Sequence, residues 1–344
     1  MDKKKIKIFL VAYINYTNAQ NINCLSLTRY LNKNKFKIYS LSLYSENECN
    51  VEAKVFKCFY PVRISKIIGF LWGILYCDVI YFPKHHSTPR WILMLSNILG
   101  KKIFTTIENN ICDLEKESML NSFGDQKSLV NHFKHIPNIF GITQYIIDNA
   151  NCGVRLEEKV LYLGVETDLF SKKVRERLRN IVFIGSLTKR KKLEEFLQLS
   201  LQFPYINFNI IGDGIDRELL KMQATENVTF FGQLNQRELA SKLNEMDLLF
   251  LPSKSEGFPK VILEAASCGI PSIVYSDYGA SEWITTNKNG FVVSSFNDVI
   301  DKTIQIINNP DLLQKNSEGA LNLAEKFDWK NLIKNWEKVI ENLK

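Results

Sequence analysis

No stretch of this chain offers the roughly 20 uninterrupted apolar residues that a bilayer-spanning helix requires, so a transmembrane helix is not expected. The start, Met1-Asp2-Lys3-Lys4-Lys5, is basic like the head of a secretory leader. The apolar run at 8–14 is short and polar-ended, however, and no small-residue cleavage site follows, so it reads as a buried first strand. Cysteines 24, 49, 58, 77, 112, 152 and 268 are scattered, odd in number and without a Cys-x-x-Cys pair. Neither a disulfide framework nor a zinc site is expected, and a reducing cytoplasm fits. No internal repeat, low-complexity tract or nucleic-acid-binding motif is present.

What is there suits two hydrophobic cores. At 344 residues the chain exceeds one ordinary domain, and 45% apolar with 24% charged residues is a globular composition. The net charge of +7 is unevenly placed. Residues 1–170 hold 21 Lys and Arg against 15 Asp and Glu, whereas residues 181–344 hold 18 against 21. A basic first half suits an acidic membrane surface or an anionic acceptor, or is simply a solvated lysine-rich face.

Short β-branched runs alternate with helical patterns, which predicts parallel sheets covered by helices. Strands are expected at 6–13, 37–43, 79–82, 102–106, 139–142 and 160–163. After a charged stretch at 171–180 they resume at 181–185, 208–211, 228–231, 248–251, 272–274 and 291–293. The restart puts a domain boundary at 170/171, with Lys172, Lys173, Arg175, Glu176, Arg177 and Arg179 in a solvated linker or hinge. At 327–344, apolar residues Leu332, Ile333, Trp336, Val339, Ile340 and Leu343 keep helical spacing, with Asp328 as N-cap. Residues 61–76, rich in Ile68, Phe70, Leu71, Trp72, Ile74 and Leu75 with Arg63 and Lys66 at the start, read either as a buried domain helix or as one lying on a membrane.

The strongest chemical signal runs from Leu248 to Glu264. A hydrophobic strand leads into Ser253-Lys254-Ser255-Glu256-Gly257-Phe258-Pro259-Lys260 and then a helical run, with Pro259 placed as a first helical residue. The amides of such a first turn, with the helix dipole, form a site for pyrophosphate. Ligands of open parallel sheets bind beyond the carboxyl ends of the strands, where this loop must lie. Glu256 precedes the helix and Glu264 falls inside it beside Leu263, Ala265 and Ala266, where a carboxylate is costly unless it is hydrogen-bonded or paired. A ribose diol, a buried Arg or solvent would each serve.

This segment resembles the signature of glycosyltransferase family 4, two glutamates separated by seven residues with Gly-Phe-Gly/Pro after the first. Glu256 to Glu264 matches it position for position, and Ala265-Ala266-Ser267-Cys268-Gly269-Ile270-Pro271 is similar to its continuation. The resemblance implies that Glu256, with Gly257, Phe258, Pro259 and Lys260, holds the donor sugar and that Glu264 holds the ribose. Val182 to Leu193 resembles the family's strand, glycine turn and basic cluster, with Gly185, Ser186 and Lys191 at matching positions. Ser186 stands where the family has arginine, and Arg190 or Lys189 is the candidate replacement. Two cations and a helix N-terminus focused on a leaving diphosphate would supply roughly 5–8 kcal/mol. Gly212 and Gly214, in Ile210-Ile211-Gly212-Asp213-Gly214, resemble the floor of the nucleotide cleft, and Gly232 resembles the segment whose backbone reaches the base.

The first half matches less well. Residues 162–170 resemble the stretch that precedes the family's linker, but Asn15 to Asn21 replaces the usual glycine-rich loop and Glu108 replaces the usual histidine. Glu108 is a candidate acceptor of sugar hydroxyl bonds or an ordinary loop carboxylate. His85 and His86 read as structural or acceptor-side residues rather than catalytic ones. No Asp-x-Asp occurs, so the dicarboxylate of the other main glycosyltransferase architecture is absent and no metal or other cofactor is expected.

The resemblance implies an α/β, GT-B chain of two Rossmann-like domains with parallel sheets facing across a cleft. Acceptor-binding residues 1–170, nucleotide-sugar-binding residues 171–326 and a helix at 327–344 returning to the first domain are the expected parts. It further implies a retaining, metal-independent hexosyl- or N-acetylhexosaminyl-transferase. Its donor would be a nucleotide sugar, foremost a UDP-sugar, and its acceptor a glycan or lipid-linked saccharide of bacterial surface polysaccharide or lipopolysaccharide assembly. Glu256, Lys191, Arg190 and Glu108 are the candidate catalytic set. The place would be the cytoplasm, with peripheral contact on the inner membrane surface, and no nucleic acid partner. The rival readings are a non-catalytic GT-B subunit supporting a partner transferase and a nucleotide-sugar epimerase of the same fold.

Overall fold

The structure, a computed structural model, describes residues 4–16, 18–44, 51–112 and 118–343. Met1 to Lys3 of the leader-like start and Thr17 of the loop after the first strand lie outside them. The chain forms two compact units, Met1–Leu163 with Trp329–Lys344, and Gly164–Asp328.

Unit 1 opens with β1 (Ile6–Tyr13), α1 (Ala19–Tyr30), β2 (Phe36–Ser42), β3 (Lys54–Lys57), α2 (Val62–Tyr76) and β4 (Val79–Tyr81). It continues with α3 (Arg90–Ile98), β5 (Lys102–Ile107), α4 (Met119–Phe123), α5 (Gln126–Phe133), β6 (Asn138–Gly141) and α6 (Gln144–Asp148). Unit 2 holds β7 (Asn180–Ile184), α7 (Leu193–Gln202), β8 (Asn207–Ile211), α8 (Arg217–Gln223), β9 (Val228–Gly232) and α9 (Gln236–Leu243). Next come β10 (Leu248–Leu251), α10 (Lys260–Ser267), β11 (Ser272–Tyr275), β12 (Phe291–Val293), α11 (Phe296–Asn308) and α12 (Pro310–Lys326). Helix α13 (Trp329–Glu341) returns to unit 1.

Each unit is built on a six-stranded parallel sheet, in order β3-β2-β1-β4-β5-β6 and β12-β11-β10-β7-β8-β9. The central strands are apolar throughout because helices cover both faces, as parallel sheets require. Strand β3 escapes the sequence reading because it is four residues long with lysine at both ends, the form of a charged edge strand. Residues 160–163 are extended but not a strand. The Leu161 amide donates to the Gly141 carbonyl at 2.9 Å, while the Tyr162 carbonyl accepts the Trp336 indole N–H at 2.9 Å. The segment thus lies along the end of β6 and under α13. The apolar stripe of α13 is buried, and Glu337 on the same helix accepts the Asn32 amide at the end of α1 at 2.8 Å.

The cysteine expectation is corrected: Cys112 and Cys152 form a disulfide. Their spacing of 40 residues gave no sign of it, but the fold sets the segment after β5 beside the turn after α6, with Cα atoms 5.4 Å apart, within bridging range. A disulfide is not what a reducing cytoplasm favours.

The boundary also differs from the expected 170/171. Residues 164–170 are tied to the end of α12: the Val165 amide donates to Phe327 at 3.1 Å, and the Asp328 carboxylate accepts from the amide and hydroxyl of Thr167. The stretch at 171–180 is not all solvated linker. Arg175 is fully buried, and its guanidinium donates to the carbonyls of Asn244 (2.8 Å), Leu243 (3.2 Å) and Cys268 (3.0 Å). It clips the carboxyl ends of α9 and α10, where unpaired carbonyls and the helix dipole favour a cation.

Candidate active site

Four neighbouring strands of unit 2, β10-β7-β8-β9, bring the predicted residues to one end of the sheet. Each glycine marks a carboxyl terminus: Gly185 after β7, Gly212 after β8, Gly232 closing β9. The Gly212 amide donates to Gly232 at 2.8 Å and the Gly185 amide to Ile211 at 3.0 Å. Gly212 has φ +141°, and a Cβ there would sit 1.8 Å from the Gly185 carbonyl oxygen. Only glycine lets these turns stack so closely. Gly214 lies against the Leu187 carbonyl in the same way.

From β10 the chain enters the loop that carries Glu256. Its side chain is 9% exposed and lies against two cations from the turn after β7. The Lys191 ammonium forms an ion pair with Oε1, and the Arg190 guanidinium stands 3.4 Å from the same oxygen while donating to the Ser255 carbonyl at 2.8 Å. Ser186 and Lys189 are exposed. Of the two candidates for the missing arginine, the structure therefore brings Arg190 to the glutamate and leaves Lys189 in solvent.

Pro259 stands at the N-cap of α10 rather than inside it, and Lys260 is the first helical residue. Gly257, Phe258 and Pro259 are buried, the Phe258 ring packed on Trp283 (4.6 Å) and Phe327 (5.1 Å). The loop is thus held from behind while the first amides of α10 face the carboxyl end of the sheet. One turn into the helix, Glu264 is 5% exposed. Burial pushes its carboxyl above the ordinary value, against the pull of the Lys260 charge and a hydrogen bond to the Gln236 side chain. Gln236 opens α9, four residues after Gly232, so Glu264 and the predicted base-contacting turn meet.

Tyr278 escaped the sequence reading. It sits in the turn after β11, its hydroxyl buried and, among the described residues, without a hydrogen-bond partner. Its ring lies 6.3 Å from Trp283, the residue against Phe258. Burial and then the nearby Glu256 charge hold its phenol well above the usual range. No spacing in the sequence marks this tyrosine; only the adjacency of β10 and β11 does.

Residues 165–322, nearly all of unit 2, match the family described as Glycosyl transferases group 1. Unit 2 thus carries the group 1 glycosyltransferase match, over a little under half of the chain. An uncharacterized glycosyltransferase of Methanocaldococcus jannaschii is 24% identical over 96% of both chains. The poly(glycerol-phosphate) alpha-glucosyltransferase of Bacillus subtilis is 31% identical over 45% of this chain and 24% of that protein. Among solved structures, Anabaena HepE in complex with UDP and glucose superposes with a TM-score of 0.78 at 15% identity, covering 98% of this chain and 100% of that one. The fold is GT-B.

The carboxyl end of the unit 1 sheet carries a second cluster. Glu108 follows β5, half-buried, with Lys84 and Cys24 in its electrostatic neighbourhood. His85 is buried against His132, ring nitrogens 3.5 Å apart, and burial with that neighbour lowers it to about 3. It is therefore neutral and part of an aromatic box with Phe133, whereas His86 is exposed. Among the described residues no group of three or more His, Cys, Asp or Glu is arranged to hold a metal ion.

Proposed function

We propose that this protein is a retaining, metal-independent glycosyltransferase that moves a sugar from a UDP-sugar to a glycan or lipid-linked acceptor in bacterial surface polysaccharide or lipopolysaccharide assembly. The observation that carries the reading is the convergence of Lys191, Arg190 and the start of α10 on Glu256 at the carboxyl end of one parallel sheet. Two cations and a helix N-terminus are what a departing nucleoside diphosphate needs. The UDP and glucose held by Anabaena HepE support a uridine donor, and the glucosyltransferase of Bacillus subtilis supports a polyol-phosphate or glycan acceptor.

In this scheme Lys191 and Arg190, which pair with Glu256, turn toward the diphosphate as it enters. Glu256 then accepts hydrogen bonds from sugar hydroxyls, and Glu264 accepts from the ribose. The acceptor hydroxyl oxygen bonds to the anomeric carbon on the face that the diphosphate leaves. The anomeric C–O bond breaks, and the acceptor proton passes to the leaving phosphate oxygen. Glu108 at the end of β5 is assigned to acceptor hydroxyls.

The test is a thermal-shift screen of UDP- and GDP-sugars with EDTA present, followed by product analysis. A donor that raises the melting temperature and is slowly hydrolysed or transferred supports the scheme. Strict metal dependence, or no stabilisation by any nucleotide, overturns it.

A further inference from the structure

The outward faces of α2 and α3 in unit 1 are apolar. On α2 the inward side is fixed by Gly73, where a Cβ would fall 2.1 Å from the Phe9 ring, and by buried Gly69, Phe70 and Ile74. The opposite side carries Ile64, Ile67, Ile68 and Leu75, between 42% and 63% exposed, at the i, i+3, i+4, i+11 spacing of one helical stripe. On α3 the exposed stripe is Trp91 and Ile98, with Met94 between them.

Both helices are crossovers that carry the chain the same way across the sheet, from β3 to β4 and from β4 to β5. Right-handedness therefore puts them on one face. The Lys101 ammonium donates to the Leu75 carbonyl at 3.5 Å, joining their carboxyl ends. Among the described residues, twelve of the twenty-one large apolar side chains exposed to solvent fall between Phe59 and Leu99. Domain helices ordinarily turn a polar side outward, whereas this surface is left uncovered by the described residues.

Charge says which partner fits. Neither α2 nor α3 contains Asp or Glu, and α2 and α3 begin with Arg63, Lys66 and Arg90. Between residues 54 and 102 there are eight Lys and Arg and a single acid, Asp78. We infer that the α2–α3 face is a docking surface for a bilayer of anionic lipid, with Ile64, Ile68 and Trp91 entering the headgroup boundary and Arg63, Lys66 and Arg90 meeting lipid phosphates. Apolar area supplies affinity and the cations supply preference for negative headgroups. Docking rests on the transferase reading only for its purpose, bringing unit 1 to a lipid-linked acceptor.

Sedimentation with phosphatidylcholine vesicles, with and without phosphatidylglycerol, tests this on the full chain. The protein should pellet with the anionic vesicles and largely stay in solution with the neutral ones, and added salt should weaken binding. Ile64→Ser with Ile68→Ser should cut partitioning by about tenfold or more, as should Trp91→Ala, while Arg63→Gln with Lys66→Gln should erase the anionic preference. Nucleotide-induced thermal stabilisation of each variant should match wild type, which separates lost docking from lost fold or lost donor site. Equal behaviour of both vesicle types, unchanged binding by the isoleucine variant, or a concentration-dependent dimer that this variant abolishes without any vesicle binding would overturn the inference.

Discussion

The ammonium of Lys191 lies against the carboxylate of Glu256, 65 positions later in the chain, and both side chains are about nine-tenths buried, at 11% and 9% exposure. The pair locks the turn after β7 to the loop after β10. It also stores a cation beside the start of α10, at the place where negative charge would develop on a leaving diphosphate.

Breaking that pair should cost both stability and turnover. Lys191→Ala leaves a buried carboxylate with Arg190 at 3.4 Å, and loss of one partner of a buried pair costs about 3–5 kcal/mol. Lys191→Met with Glu256→Leu should recover much of that stability, because no buried charge is stranded. Transfer should fall by about 100-fold or more in all of these variants. Denaturant unfolding and turnover, measured side by side, check it. A stable double variant with wild-type transfer would move the chemistry elsewhere, and full activity of Glu256→Ala would favour a supporting subunit.

Glu264 predicts a pH dependence whose sign can be worked out. Its folded-state carboxyl is raised above the ordinary value by burial, so the folded chain binds this proton more tightly than the unfolded chain. The stability it contributes is present at low pH and is lost as pH rises from the ordinary carboxyl value through the raised one. Ribose hydroxyls donate to the ionised form, so nucleotide affinity should rise over the same interval. Glu264→Gln should melt no lower than wild type at neutral pH when empty. It should lose about 10- to 100-fold in nucleotide affinity, equivalent to roughly 1.5–3 kcal/mol of charge-assisted bonding. Calorimetric titration with UDP across pH measures both effects, and a flat profile would remove Glu264 from the ribose site.

Tyr278 should show the reverse of an ordinary core tyrosine. A buried hydroxyl with no partner costs free energy in the empty protein. Tyr278→Phe should therefore leave the melting temperature of the empty protein unchanged or higher. If the hydroxyl donates to the bound donor beside Glu256, the same change should raise the donor KM by about 3- to 10-fold, the worth of one neutral hydrogen bond. A destabilised variant with unchanged KM would make Tyr278 purely structural.

The residues proposed to hold the donor were written locally, and those proposed for the acceptor were not. Glu256, Gly257, Phe258, Pro259 and Glu264 sit in one strand–loop–helix segment, where capping chemistry and helix spacing fix their relation. Gly185, Gly212 and Gly232 each end an apolar strand, so alternation alone brought them to one edge of a sheet. Arg175 was misread because five basic residues in ten look like solvent-facing chain. Its burial depends on the carbonyls of Leu243, Asn244 and Cys268, which only the tertiary fold assembles. The outward stripe of α2 stayed open because, past Lys66, the helix is apolar all round and gives no sign of which side meets the sheet. That was decided by Gly73 against Phe9.

The Cys112–Cys152 bridge extends the same lesson to a quantity that can be measured. It closes a chain segment of 40 residues and ties the segment beyond Glu108 to the turn after α6, so its main effect falls on the unfolded ensemble of unit 1. Loop-closure entropy for that length corresponds to about 4 kcal/mol. Cys112→Ser with Cys152→Ser, or reduction of the wild type, should lower the unfolding free energy by about 2–4 kcal/mol. Donor-nucleotide stabilisation, which we assign to unit 2, should be unaffected. Acceptor-side kinetics should respond if Glu108 takes part, because the bridge lies four residues beyond it. Calorimetry with and without reductant, on the wild type and on the double serine variant, checks the assignment: reductant should change the first and not the second. Identical melting in every case would show that the two thiols are not joined.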